Sequence, residues 1–185
     1  MPPSRGSDRL RPPRLLVCEP YLLFEQLLPG DIAVRLRDRL AVAGNEVDIV
    51  RLPLVRGSER DITRQLTGWR LLDLTASYNL PIDGVISLGF PAYYVINPVH
   101  ICWLLAPGPH LDDQAAERLG PATSLGAGRG DHGILAGMKL VPGSTELAIT
   151  LADRGLEVEP PVPPTDEGCD YITRLMMTGL GNAGS

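Results

Sequence analysis

The chain has 185 residues, of which 44% are hydrophobic and 21% are charged, a composition typical of a folded globular protein. This length accommodates one domain with a core, and two complete Rossmann-like domains do not fit. The net charge of -5 argues against a general affinity for nucleic acid, because binding to phosphates needs a surplus of Lys and Arg.

The three cysteines, Cys18, Cys102 and Cys169, are odd in number and far apart, so the sequence indicates neither a disulfide framework nor a zinc site. We expect no metal, no cofactor and a reducing, cytoplasmic setting. Residues 1–13 are polar and rich in Arg and Pro, without the apolar centre of a signal peptide, and we predict a disordered lead there. No apolar run is long enough to predict a membrane span.

Predicted strands and helices alternate after this lead. The helix after the first strand is indicated by apolar residues four positions apart and by a glycine stop. The predicted elements are a strand at 14–18, a helix at 31–44, a strand at 46–50, a helix at 59–74, a strand at 84–88, a helical turn at 90–94 and a strand at 99–105. This alternation predicts βαβ units and an α/β fold with one Rossmann-like, doubly wound parallel sheet.

The second half of the chain is less regular. Gly and Pro are dense from 106 to 131, which predicts a flexible loop. We then predict a strand at 134–141, a helix capped by Ser144 and running to about residue 154, and a short strand at 156–159. Residues 160–164 are a Pro-rich linker, and 169–175 are compatible with the start of a further strand. The predicted domain is therefore 14–159, with a linker and tail at 160–185.

Local strings along the first half carry a family resemblance. They are 17–21 (VCEPY), 43–47 (AGNEV), 69–74 (WRLLDL), 81–83 (PID), 90–95 (FPAYYV), 97–98 (NP) and 103–105 (WLL). In this order they resemble the N-terminal, acceptor-side domain of bacterial family 4 glycosyltransferases of the GT-B fold. A weaker match resumes at 143–145 and continues into the Pro-rich linker. The resemblance implies half of a GT-B fold, truncated and degenerate.

The chain departs from that family at two sites near the expected cleft. The family has a Gly-Gly pair after the first strand, where backbone N–H groups approach the donor phosphates, and this chain has Leu27 and Leu28. A polar His-Gln-His-Arg string of the family is replaced by residues 106–109 (APGP). The resemblance therefore implies an accessory or partner subunit without the sugar-nucleotide domain, and enzymatic activity of the chain alone stays open.

Three residues are candidates for catalysis by proton transfer. Glu19 follows the first strand, at the edge where open α/β sheets bind ligands. His110 and Asp112 form a compact polar group in the Gly/Pro-rich loop. The alternatives are a turn role for Glu19 and a solvated loop for the other two.

Four further residues are candidates for ligand binding. Tyr21 follows Glu19 closely in the sequence, and Gly30 lies near the position of the family's glycine pair. Tyr93 and Trp103 are candidates for an aromatic wall against an acceptor, with core packing as the alternative.

Three functions remain open from the sequence. The first is the accessory or partner subunit, which binds a protein partner or a second copy of itself, with Leu27 and Leu28 at the contact. The second is a small repurposed enzyme acting on a metabolite bound at the strand carboxyl ends, and the third is a non-catalytic binder of a small molecule. A small-molecule acceptor is left open as a further partner, and we expect neither nucleic acid nor an integral membrane segment.

Overall fold

The computed structural model describes residues 11–22, 27–54, 58–108, 111 and 132–183. Its elements are β1 (Arg14–Leu22), α1 (Ile32–Val42), β2 (Glu46–Leu54), α2 (Glu59–Leu71), β3 (Ala76–Ser77), β4 (Leu80–Pro81), β5 (Gly84–Gly89), a 3₁₀ turn (Ala92–Tyr94), β6 (His100–Ala106), β7 (Lys139–Pro142), α3 (Thr145–Asp153) and α4 (Asp166–Ala183). β3 and β4 form a small antiparallel hairpin.

The other five strands form one sheet in the order β2-β1-β5-β6-β7, and every neighbouring pair is parallel. Helices cover both faces of this sheet, which confirms the prediction of an α/β, doubly wound, Rossmann-like fold. The strand order reverses between β1 and β5. In such sheets the carboxyl ends of the strands form the edge at which ligands bind.

Each face of the sheet has its own hydrophobic core, because strand side chains alternate between the faces. One core joins the sheet to α1 and α4 and includes Leu15, Val17, Ile86, Leu36, Ile172 and Met176. The other joins it to α2, the 3₁₀ turn and α3 and includes Cys18, Val85, Leu104, Trp69 and Leu151. The sheet is thus shielded from water on both sides.

The predicted disordered lead is too long at its end. The guanidinium of Arg11 donates two hydrogen bonds to the carboxylate of Asp83, at 2.9 and 3.0 Å. The carbonyl of Pro13 accepts a hydrogen bond from the N–H of Glu46 at 2.9 Å. Residues 11–13 are therefore part of the fold, and residues 1–10 lie outside the described part.

The strand predicted at 134–141 starts too early, and the short strand predicted at 156–159 is wrong. Residues 132–135 form a helical turn, and the strand begins only at Lys139. Residues 156–163 are extended but are not a strand: the N–H groups of Glu159 and Val162 bond to carbonyls of β7, while the prolines between them have no N–H to continue the ladder.

The strand start considered at 169–175 is also wrong, because this segment lies within α4. Cys169, Ile172 and Met176 recur at helical spacing, and all three are fully buried against the α1 side of the sheet. Most of the residues predicted as a linker and tail, 160–185, therefore contribute a helix to the core.

Candidate functional site

A cleft opens at the carboxyl edge of the sheet, where β6 and β7 end and α3 begins. Its volume is about 490 Å³, a size suited to a small molecule. The residues that line it are Pro29, Leu104, Leu105, Pro107, Leu111, Gly143, Ser144, Glu146, Leu147, Thr150 and Pro164. The described walls combine polar and apolar surface, and their polar side chains come from the cap and first turns of α3.

The turn from β7 into α3 holds this helix close to β6. The N–H of Gly143 donates to the carbonyl of Leu104 at 2.9 Å. A Cβ on Gly143 would lie 2.8 Å from a methyl of Leu105, so this close approach requires a residue without a side chain. Ser144 follows as the helix cap, and its hydroxyl accepts a hydrogen bond from the N–H of Leu147 at 3.2 Å.

Three polar side chains of this helix border the cleft. The carboxylate of Glu146 accepts hydrogen bonds from its own backbone N–H and from the hydroxyl of Ser144, and these bonds lower the pKa of Glu146. The hydroxyl of Thr150 donates to the carbonyl of Glu146 at 3.0 Å. The cleft is therefore bordered by one ionised carboxylate and two hydroxyls whose protons are already engaged.

The described part of the junction between β1 and α1, on the same edge of the sheet, is residues 27–31, and Pro29 among them borders the cleft. Leu28 is only 4% exposed and lies in the core on the α1 side, and Leu27 is partly buried against both cores. Both leucines thus fold into their own domain, and the expectation that they form an exposed contact surface is corrected. Gly30 is exposed, with a φ of 53°.

The start of α1 carries a negative charge. Asp31 is the residue before the first helical turn and makes no side-chain cap hydrogen bond. Its carboxylate lies 3.2 Å from Nε of Arg35. An anion that approached the backbone N–H groups at the start of α1 would be repelled by the carboxylate of Asp31. The junction is therefore a poor phosphate site.

Glu19 and Tyr21 lie within the last residues of β1 and not after it as predicted, because the strand continues to Leu22. Glu19 accepts a hydrogen bond from Nε of Arg51 at 2.6 Å, across the β1–β2 pair, and its side chain is 12% exposed. This ion pair engages the carboxylate in holding two strands together. Tyr21 is 37% exposed. Neither residue belongs to the described lining of the cleft.

The two aromatic candidates are buried in opposite cores, and the structure does not bring them together. Tyr93 is fully buried in the core on the α2 side and stacks on Tyr94, with 5.3 Å between the ring centroids. Trp103 is fully buried on the α1 side, and its indole N–H donates to the carbonyl of Val162 at 2.8 Å. Core packing accounts for both side chains, and neither borders the cleft.

A buried polar group lies between β5 and β6, away from the cleft. The hydroxyl of Ser87 and Nε2 of His100 are 2.8 Å apart. Burial lowers the pKa of His100 from 6.5 to about 4, and burial raises the pKa of the neighbouring Cys102 thiol to about 12. Burial thus keeps the imidazole neutral and the thiol protonated, and Ser87 and Cys102 are both fully buried.

Two of the predicted catalytic residues, His110 and Asp112, lie outside the described residues. Within the described ranges, no cluster of three His, Cys, Asp or Glu side chains is placed to hold a metal ion. In the same ranges no helix is both long and apolar enough to cross a membrane.

The sequence did not identify Glu146 and Thr150 as candidates, and it interpreted Ser144 only as a helix cap. The available signal was a predicted strand followed by a Gly-Ser turn and a helix with an acidic first turn. In a doubly wound sheet this pattern places the first turn of the helix at the ligand-binding edge.

No family model, no curated protein and no solved structure matches the chain. The resemblance of the local strings to family 4 glycosyltransferases therefore stays a hypothesis. The geometry of the carboxyl edge supplies the other support for a function.

Proposed function

We propose that this chain is a glycosyltransferase-like acceptor-side domain that does not transfer sugar by itself and serves as an accessory or partner subunit. The β1–α1 junction carries this proposal. In the enzymes that the chain resembles, glycines at this junction let backbone N–H groups approach the donor phosphates. Here Leu28 is buried at the same place, and Asp31 adds a negative charge at the start of the helix.

The charges around this junction also oppose catalysis. Transfer from a sugar nucleotide needs fixed positive groups that stabilise the leaving diphosphate. Arg51 is paired with Glu19 at 2.6 Å. Arg35 is paired with Asp31 at 3.2 Å and with Asp166 at 2.8 Å. These two arginines are therefore already engaged by carboxylates of the same domain.

What the domain retains is compatible with a supporting role. Both faces of its sheet are packed by helices, and a cleft of about 490 Å³ remains at the carboxyl edge. A stable scaffold with an open cleft can hold an acceptor or a regulator beside another enzyme. Activity would then come from the partner.

Binding of sugar nucleotides tests the first half of the proposal. UDP-glucose, GDP-mannose and free UDP are titrated into the purified chain by calorimetry, with amide NMR shifts recorded for residues 27–36. We expect no micromolar dissociation constant and no transferase turnover, because the phosphate position is filled and acidic. A micromolar constant with shifts centred on Gly30 to Arg35 would overturn the proposal.

Coexpression tests the second half. The chain is produced together with each glycosyltransferase encoded beside it, and the products are analysed by light scattering and by rate measurements. The proposal expects a complex of defined stoichiometry in which the partner turns over faster. A chain that leaves every such partner unbound and unaffected contradicts the accessory role.

A small repurposed enzyme is the second candidate, and the cleft is the observation that favours it. Glu146 provides an ionised carboxylate at the edge where doubly wound folds place their substrates. Turnover of a metabolite by the chain alone, abolished in Glu146→Gln, would favour this candidate over the accessory role.

A further inference from the structure

We propose that the carboxyl-edge cleft binds a small amphipathic amine: a molecule with a protonated amino group and an apolar body. This inference does not depend on the resemblance to glycosyltransferases or on the accessory role. It follows from the hydrogen-bonding groups and the charge that the described lining offers.

The backbone of the lining offers few hydrogen-bond donors. Pro29, Pro107 and Pro164 have no N–H group. The N–H of Gly143 already donates to a carbonyl of β6 at 2.9 Å, and the N–H of Leu111 donates to Gly108 at 2.9 Å. A ligand that needs donors from the protein, such as a phosphate or a carboxylate, finds these groups engaged or absent.

At the start of α3, two further N–H groups are already engaged. The N–H of Leu147 donates to Ser144 Oγ at 3.2 Å, and the N–H of Glu146 donates to its own carboxylate. The hydroxyl protons of Ser144 and Thr150 are directed to the Glu146 carboxylate and carbonyl. What these side chains still present to the cleft is acceptor capacity: hydroxyl lone pairs and carboxylate oxygens.

The charge in the described lining of the cleft has one sign. Glu146 is the ionised residue among the described residues that line it, and these include no Lys, Arg or His. Arg35 approaches from outside, with one guanidinium nitrogen 3.4 Å from the carbonyl of Pro164, but it is paired with Asp166 at 2.8 Å. A cationic head group therefore meets attraction, and an anionic head group meets repulsion.

The remaining surface of the cleft suits an apolar body. Leu105 and Leu147 are partly exposed there, whereas Leu104 and Leu111 are buried. Burying hydrocarbon against them is favourable by about 25 cal/mol per Å². An ammonium group close to Glu146 with its hydrocarbon part against the leucines satisfies both parts of the lining.

Three probes with the same hydrocarbon chain test the inference: hexylammonium, 1-hexanol and hexanoate, each titrated into the full chain at neutral pH and low ionic strength. Dissociation constants come from calorimetry, and amide NMR shifts locate the site. We expect hexylammonium to bind up to about fivefold more tightly than hexanol, because Glu146 is exposed and an exposed ion pair has at most an effect of this order. Hexanoate should bind most weakly, and the shifts should centre on Ser144 to Leu147.

Glu146→Gln is the matched variant, with Asp153→Asn as its control, since Asp153 is an exposed carboxylate at the other end of the same helix. We expect Glu146→Gln to bring hexylammonium to the affinity of hexanol and to leave hexanol unchanged, while Asp153→Asn keeps the preference. The inference is overturned by any of three results: no probe binds at 143–150, hexanoate binds as tightly as hexylammonium, or the two variants behave alike.

Discussion

Two strand-to-helix junctions at the same edge of the sheet have opposite properties. In the described part of the junction from β1 to α1, Leu28 is buried in the core, and the carboxylates of Glu19 and Asp31 are paired with arginines. At the junction from β7 to α3, Glu146 borders the cleft, and the described lining contains no arginine or lysine. A doubly wound sheet offers several junctions at its carboxyl edge, and the side chains of each turn decide which one stays open to a ligand.

The largest expected effect tests whether the first junction is really closed. Leu28→Ala removes a side chain that is 4% exposed, and we expect the free energy of unfolding to fall by about 2–4 kcal/mol. Leu71→Ala is the control, because Leu71 is 77% exposed, and we expect a change within about 0.5 kcal/mol. Urea unfolding of both variants gives the comparison. Equal, small losses would mean that the β1–α1 junction is as open as the other.

The burial of Leu28 decides which experiment can test the junction for association. Replacing Leu28 with Asp would place a charge in the core and unfold the domain, so loss of a dimer in that variant would say nothing about an interface. A substitution at the exposed residue Leu71 would not unfold the domain in this way. Self-association is better tested by light scattering of the unaltered chain.

The pH dependence of stability tests the contact between β5 and β6, which lie between the two junctions in the sheet. His100, hydrogen-bonded to Ser87, joins β5 to β6, and burial lowers its pKa from 6.5 to about 4. The unfolded chain therefore binds a proton that the folded chain refuses between these pH values. The contribution of His100 to the free energy of unfolding is therefore complete above pH 6.5. It is lost as the pH drops towards 4, by up to about 3 kcal/mol.

The variant His100→Gln isolates this contribution, because glutamine keeps a hydrogen-bonding group and does not titrate. Urea unfolding at several pH values should show a shallower loss between pH 6.5 and 4 than in the unaltered chain. A His100→Gln curve parallel to the wild type would mean that the imidazole is accessible to protons in the folded state.

Local patterns predicted the sheet well, because buried parallel strands are short apolar runs with clear boundaries. β1, β5 and β6 were each located to within a few residues. The errors fell where a pattern allows two structures. The run from Cys169 to Leu175 is apolar enough for a strand, and only its pairing with α1 across 130 or so residues selects a helix.

The site was harder to predict than the fold for a related reason. Tyr93 and Trp103 have the composition of a binding wall, but their exposure depends on which helices cover each face of the sheet, and both are fully buried. Glu146 belongs to an ordinary helix start by its sequence. Its position beside a cleft depends on contacts with β6, which lies some 40 positions earlier in the chain.

The smallest expected effect compares the two helix starts directly. Ser144 accepts a hydrogen bond from the N–H of Leu147 at 3.2 Å, whereas Asp31 makes no side-chain cap bond and contributes an exposed ion pair with Arg35. We therefore expect Ser144→Ala to lower the free energy of unfolding by about 1 kcal/mol and Asp31→Ala by only a few tenths. Thermal and urea unfolding of the two variants measure the difference.

Unfolding at low and at high ionic strength separates the cap hydrogen bond of Ser144 from the ion pair of Asp31. A cap hydrogen bond is short-ranged, so the loss in Ser144→Ala should persist in high salt, while the small loss in Asp31→Ala should disappear because mobile ions screen an exposed pair. If Asp31→Ala is instead the more damaging change, Asp31 caps α1 in solution. The carboxylate of Asp31 would then be fixed at its helix start as the carboxylate of Glu146 is at the start of α3. Charge alone would not distinguish the two junctions.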